Sequence, residues 1–157
     1  MKKILLLLLS VAVSGQFAYS RDVLHTENTT IVLDAEVGKG LQIVYYGARL
    51  SDTDVENLRF AGVRPQRAYP AHGLIGKEEE ALSVVFPDGN VTLDLKVTGV
   101  SRFSWEAGEV LEITSRDTFY PFTVKAFYKT YRSEDMISTW TELTNEGKKP
   151  MTLTRFD

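Results

Sequence analysis

Two histidines and 21 acidic side chains bound the chemistry open to this chain, which has no cysteine at all. With no Cys and no His-x-x-His spacing, a zinc site is not expected, because zinc draws on clustered thiolates and imidazoles. No phosphate-cradling loop, dinucleotide fingerprint or Gly-x-Ser-x-Gly elbow occurs, so no cofactor is expected. Ser115 and Ser133 have no histidine nearby in sequence to activate them as nucleophiles. Paired carboxylates are the remaining route to hydrolysis, since two acids flanking a glycosidic bond suffice to break it. Asp52, Asp54 and Glu56 lie on a candidate short helix. Asp34, Asp88, Asp94, Glu109, Glu112, Asp117, Glu134, Asp135 and Glu142 mark turns or outward strand positions. Each is read as a capping or solubilising group, as acids outside a site usually are. No residue is assigned a catalytic role.

Binding is a different matter. Tyr69-Pro70-Ala71-His72-Gly73 combines a ring, a rigid turn and an imidazole in a stretch without regular period. Tyr69 and His72 are the candidate substrate-binding residues, with packing as the competing role. His25 reads as a strand residue. Flat rings can also serve as a platform for sugars, and Trp105, Trp140, Tyr45, Tyr46, Tyr69 and Tyr120 are available for it, or for the core.

The elements that must hold these residues are strands. Phe122, Val124, Ala126 and Tyr128 recur at every second position, the period of a strand with one face on a core. Met136–Thr144 places Ile137, Thr139, Thr141 and Leu143 on one face and Trp140 on the other. Asn145–Lys148 supplies a turn, and Met151 and Leu153 begin a further alternation. Earlier, Val23–His25, Thr29–Ala35 and Leu41–Tyr46 read as strands, the latter two as a hairpin about Gly38-Lys39-Gly40, with Gly47 ending the third. Ser51-Asp52-Thr53-Asp54 resembles a capping box opening one or two helical turns. Leu82–Phe86 and Val91–Val97 read as a hairpin turned at Pro87–Asn90. Gly99–Gly108 reads as a loop carrying Phe103 and Trp105, and Val110–Ser115 as a strand with Leu111 and Ile113 inward. Lys77–Glu80 reads as a solvated charge run. Phe60–Gly76 is too long for an idle connection and is expected to be ordered and to pack on something. Short strands with even turn spacing and no long helix predict an all-β fold, an antiparallel β-sandwich.

Residues 1–20 stand apart. Lys2 and Lys3 precede the apolar run Ile4–Val13, and Ala18-Tyr19-Ser20 supplies small residues before Arg21. The run is far shorter than the ~20 residues of a membrane span, so the segment is read as a signal peptide and residues 21–157 as one domain. Export of the chain, to a periplasm or beyond the cell, follows as an expectation. The formal charge of −3 includes the +2 of Lys2 and Lys3, which leaves −5 for residues 21–157. A nucleic-acid or membrane partner is therefore not expected, because both require clustered Lys and Arg.

One ordered set of motifs carries a resemblance. LQIVYYG (41–47), YPAHG (69–73), EALSV (80–84) with DGN (88–90), LDLK (93–96), YPFTV (120–124), WTELTN (140–145) and PMTLTRFD (150–157) occur in sequence. Together they resemble the amino-terminal domain of glycoside hydrolase family 36, the bacterial-type α-galactosidases, from about Ile31 to Asp157. The resemblance implies a β-supersandwich, incomplete at its C-terminal side here, that precedes a catalytic β/α barrel. It implies a retaining enzyme that removes terminal α-galactosyl units from oligosaccharides with two barrel aspartates, neither in this chain. It also implies a homo-oligomer in which the loop matching Arg64–Gly76 reaches a neighbouring subunit's active site. His72 departs from the Tyr or Phe expected at its position. A free-standing carbohydrate-binding module, and an interaction domain using an open sheet edge, are the alternative readings. Burial of Trp105, Trp140 and Tyr69 together would dismiss the former.

Overall fold

The computed structural model describes residues 21–58, 62, 65–73 and 79–157. The expected signal peptide, residues 1–20, lies outside the described residues, as do parts of the 60–76 stretch. The fold is all-β, as the alternation predicts. Strands β1 (Asp22–His25), β2 (Thr29–Asp34), β3 (Gln42–Ala48) and β4 (Gln66–Arg67) form one antiparallel sheet in that order. Strands β6 (Leu95–Trp105), β7 (Gly108–Asp117), β8 (Phe122–Tyr131) and β9 (Met136–Asn145) form a second, longer one. Strands β5 (Leu82–Val85) and β10 (Thr152–Phe156) pair with each other.

The long sheet is the foundation, and the two smaller sheets cover different halves of one face. Over one half, Leu24, Ile31, Leu33 and Leu41 meet Val97, Leu111, Ile113, Ala126 and Tyr128. Over the other half, Leu82, Val84 and Phe86 meet Leu93, Leu95, Phe122 and Val124. The predicted inward positions of β7 and β8 are those buried here. Leu111 and Ile113 are fully buried, and each such side chain contributes about 1.5–3 kcal/mol. A helix, α1 (Asp52–Asn57), closes the outer side of the first sheet, where Val32, Val44 and Leu58 cluster with Val55. Its expected capping box is present: the Ser51 hydroxyl accepts from Asp54 N, and the Asp54 carboxylate accepts from Ser51 N.

Three local expectations are corrected. Leu82–Val85 does not form a hairpin with residues 91–97; it pairs antiparallel with β10, about seventy residues away. The Pro87–Asn90 turn does close, through Phe86 N to Asn90 O at 2.8 Å. The chain beyond it then leaves the sheet, Leu93 N donating to His72 O at 3.0 Å before Leu95 enters β6. The regular alternation of Val91–Val97 is real but serves two clusters, Leu93 and Leu95 in one and Val97 in the other. Residues 99–105 are the outer half of β6, not a loop. A bulge between Val97 and Gly99 shifts the register, and Ser101–Ser104 are exposed. An edge strand bare on both faces has no alternation to read. Gly47 does not end β3, which continues to Ala48. The Tyr45 ring folds over Gly47, with its hydroxyl donating to Ala48 O at 2.9 Å, so a Cβ there would have to displace the ring.

Candidate functional site

The described part of the irregular stretch, residues 65–73, is a seam between the two small sheets. Gln66 and Arg67 pair with Ile43 and Gln42, and Ala68 N donates to Leu41 O at 3.1 Å. Pro70 has no N–H to place, and its carbonyl accepts from Ala81 N and Leu82 N. Ala71 forms a parallel bridge with Leu82, and His72 N donates to Leu82 O at 2.9 Å. Gly73 is required by both conformation and space. Its φ is +91°, and a Cβ would lie 2.6 Å from the Thr92 methyl group. Residues 65–73 are thus ordered and pack on their own chain.

The structure does not bring Tyr69 and His72 together. Tyr69 points inward, packing against the cluster of Leu82, Phe122 and Val124. It lines a cavity of about 190 Å³ with Arg67, Asp94, Lys96 and Ser115. Its hydroxyl is buried beside Thr141 without a hydrogen bond of good geometry. Burial first, and the Asp157 charge second, push its pKa up to about 12. A hydroxyl so enclosed does not reach an external substrate.

His72 faces outward. Its Nδ1 lies 2.7 Å from Glu80 Oε1, and since a carboxylate only accepts, Nδ1 carries the proton. The Ser83 hydroxyl donates to the other oxygen of Glu80 at 2.8 Å. These two bonds, Ser83 contributing more than His72, hold the Glu80 carboxyl below its ordinary range. Beside them, Arg155 bridges Glu79 at 2.8 Å and Asp157 at 2.6 Å. The cluster is not a nucleophile relay: Ser83 and His72 bind the same carboxylate, and the imidazole takes no proton from the hydroxyl. What it offers is an exposed set of donors and acceptors able to bind a polar ligand. Glu80 was legible only as part of a charge run. Its partners lie eight and three residues away in sequence, spacings that no periodic pattern flags.

Four further acids are committed to structure. Asp117 is buried and accepts from Asp94 N, Phe119 N and Tyr120 N. Asp135, at φ +50°, accepts from Thr26 Oγ1 and from Asn28 N at 3.0 Å, which ties the β8–β9 turn to the β1–β2 turn. Glu109 pairs with Arg102 at 2.6 Å and Glu112 with Lys125 at 2.7 Å. His25 is a strand residue, as expected, with Nδ1 2.8 Å from Thr30 Oγ1. Burial, then the Arg49 charge, lower its pKa. Among the described residues, no group of three or more Asp, Glu or His is placed to hold a metal ion.

The aromatic candidates divide. Trp140 is 40% exposed but stacks in parallel on Phe127 at 4.6 Å. Trp105 is half-buried, donates to Thr130 O at 3.2 Å and is capped by the Lys129 ammonium 3.9 Å from its ring centre. The three rings that would decide against a sugar-binding surface are therefore not all buried.

Similarity to known proteins is extensive along this fold. The family model for the glycosyl hydrolase family 36 N-terminal domain matches residues 39–157. No curated protein matches the sequence. Among solved structures, an α-galactosidase from Lactobacillus brevis is 15% identical with a TM-score of 0.74, over 89% of this chain and 23% of that one. The raffinose complex of the GH36 α-galactosidase AgaA from Geobacillus stearothermophilus is 20% identical with a TM-score of 0.75, over 87% of this chain and 24% of that one. The AgaB enzyme of the same organism is 18% identical with a TM-score of 0.73, over 93% and 24%. The chain thus spans about a quarter of the length of these enzymes.

Proposed function

The chain belongs to the glycosyl hydrolase family 36 N-terminal domain family, and from that premise we propose that it is the structural and assembly domain of an exported α-galactosidase. The observation that carries this reading is the reach of the family match, from residue 39 in the β2–β3 turn to residue 157. The chemistry in this proposal is retaining hydrolysis of terminal α-galactosides in oligosaccharides such as raffinose. A retaining pair needs two carboxylates about 5–5.5 Å apart around an open pocket. The acids traced above are bound to backbone amides, hydroxyls or cations instead. In this proposal the pair belongs to a catalytic barrel, and this domain supplies a sheet foundation beside it.

In the same proposal, residues 1–20 direct export, on the strength of Lys2, Lys3 and the short apolar run. The 59–76 loop contributes to a homo-oligomer, and His72 rather than Tyr69 is its substrate-facing residue. Two measurements test this. Residues 21–157 alone should not hydrolyse an aryl α-galactoside, and turnover by them would overthrow the reading. The open reading frame, followed past the codon for Asp157 and expressed whole, should hydrolyse it and release α-galactose first, as seen by proton NMR. Release of β-galactose, or no barrel in that frame, would equally sink it.

A further inference from the structure

We propose that the groove between the 86–90 turn and the 145–149 turn is a separate carbohydrate site, which takes one neutral hexopyranose ring on the face of Tyr120. Its floor is a braced ring. Tyr120 stacks on Phe86 with centroids 3.7 Å apart and planes at 9°, and Phe122 meets Phe86 edge-on at 6.3 Å. Phe86 is only 5% exposed, so the stack is anchored in the core and Tyr120 is its outermost layer. The Tyr120 hydroxyl donates to Asp88 Oδ2 at 2.7 Å, which fixes the ring within its own plane. Pro121 and Met151 wall the groove, whose volume is about 360 Å³. A preset aromatic face costs no ordering when a flat ligand arrives.

The rim suits hydroxyl groups. The Asp88 carboxylate is held below its ordinary range, chiefly by the Tyr120 hydroxyl and then by Asn90 N. A carboxylate has about four acceptor positions, so two remain after those bonds. Lys148 and Lys149 stand on the opposite rim as donors. Asn145 shapes that rim, accepting from Gly147 N and donating to Lys149 O, both at 2.9 Å. A sugar hydroxyl is donor and acceptor at once and can use both sides, whereas a carboxylate ligand would meet Asp88. Size decides against a protein partner. The groove falls at the small end of ligand sites, about 300–1,000 Å³, while a stable protein interface covers about 800 Å² on each side. Trp105 is less suited, since the Lys129 ammonium caps its ring. The groove adjoins the Phe86 end of β5 and the His72–Glu80–Ser83 cluster the Leu82 end. The site thus stands whether or not the loop touches substrate.

The test is titration of isotope-labelled residues 21–157 with methyl α-D-galactopyranoside, methyl α-D-glucopyranoside and galacturonate, followed by amide NMR. A neutral glycoside should move the amides of residues 86–90 and 145–149. Tyr120→Ala should weaken binding about tenfold or more, while Tyr69→Phe and His72→Ala leave it unchanged. Because loss of the Tyr120 ring could loosen Phe86, the double variant Lys148→Ala, Lys149→Ala provides a second reading with the stack intact, and it too should bind more weakly. The proposal is overturned if neither neutral glycoside perturbs these turns, if binding survives unchanged in both variants, or if galacturonate alone binds.

Discussion

Two carboxylates, Asp117 and Glu80, each gather hydrogen bonds, and they do so from opposite materials. Asp117 is 8% exposed. It accepts only backbone amides: Asp94 N at 2.7 Å, Tyr120 N at 2.8 Å and Phe119 N at 2.9 Å. It stands in for a strand ladder just before β6 begins and just before β8 starts. It thereby sets where Tyr120 sits above Phe86. Glu80 has a side chain 38% exposed and accepts only side chains, His72 and Ser83. Side-chain partners can turn away to water at little cost; buried amides cannot. The first carboxylate therefore specifies the fold, and the second leaves a surface free to bind.

The largest expected effect breaks the buried node. Asp117→Ala strands three backbone amides away from water and should cost about 3 kcal/mol or more, read as a lower urea midpoint. Amide exchange at Asp94, Phe119 and Tyr120 should rise with it. A cost under about 1 kcal/mol would mean that water replaces the carboxylate and that the contrast is false. Asp117→Asn is a finer instrument. One oxygen survives, and the new NH₂ group faces an amide that needs an acceptor. The expected cost is about 1.5–3 kcal/mol, one charge-assisted bond.

Tyr69 turns inward onto the Leu82, Phe122 and Val124 cluster, which could not be read in the sequence. Tyr69→Phe removes a buried hydroxyl that has no well-made bond, so stability should stay within about 1 kcal/mol of the parent and tend upward. A clear loss would reveal a real bond to Thr141. The parent should also lose more stability in alkali than the variant, which keeps the buried Tyr128, raised likewise to about 12. A tyrosine with a pKa raised to about 12 in the folded chain, against an ordinary 10.0, contributes fully below pH 10.0 and is lost as pH rises through 12.

What the sequence could and could not convey follows physical lines. Phe122, Val124, Ala126 and Tyr128 were legible because one face of β8 is buried and the other wet, so the pleat writes itself into composition. The capping box at Ser51 was legible because both partners lie within four residues. The partner of β5 was not, because a hairpin is the nearest answer to an alternating run, and β10 is a distant one. The outer half of β6 was not, because Phe103 is 52% exposed on an edge strand and no core enforces a period there. His72 stood out by type, yet nothing local marked Glu80 as its partner. The aromatic stack under Tyr120 unites residues 86, 120 and 122 from two sheets, a meeting that only the packed structure displays.

The smallest expected effect sharpens the exposed node. His72→Ala and Ser83→Ala should each leave the unfolding midpoint near the parent's at neutral pH, within the range usual for surface changes. The informative readout is the titration of the Glu80 carboxyl carbon by NMR. Its pKa is held below the ordinary 4.5, first by Ser83 and next by His72. A carboxyl with a lowered folded pKa contributes stability above its ordinary value and loses it as pH falls through the folded one. Both variants should therefore raise the Glu80 pKa, Ser83→Ala by more, and both should converge with the parent in acid, where the carboxylate no longer exists. The reverse order would mean that the imidazole, not the hydroxyl, governs Glu80. A ligand reaching His72 would then have to compete with the carboxylate for its proton, and the site would bind in a pH-dependent way that the present hydrogen bonding does not require.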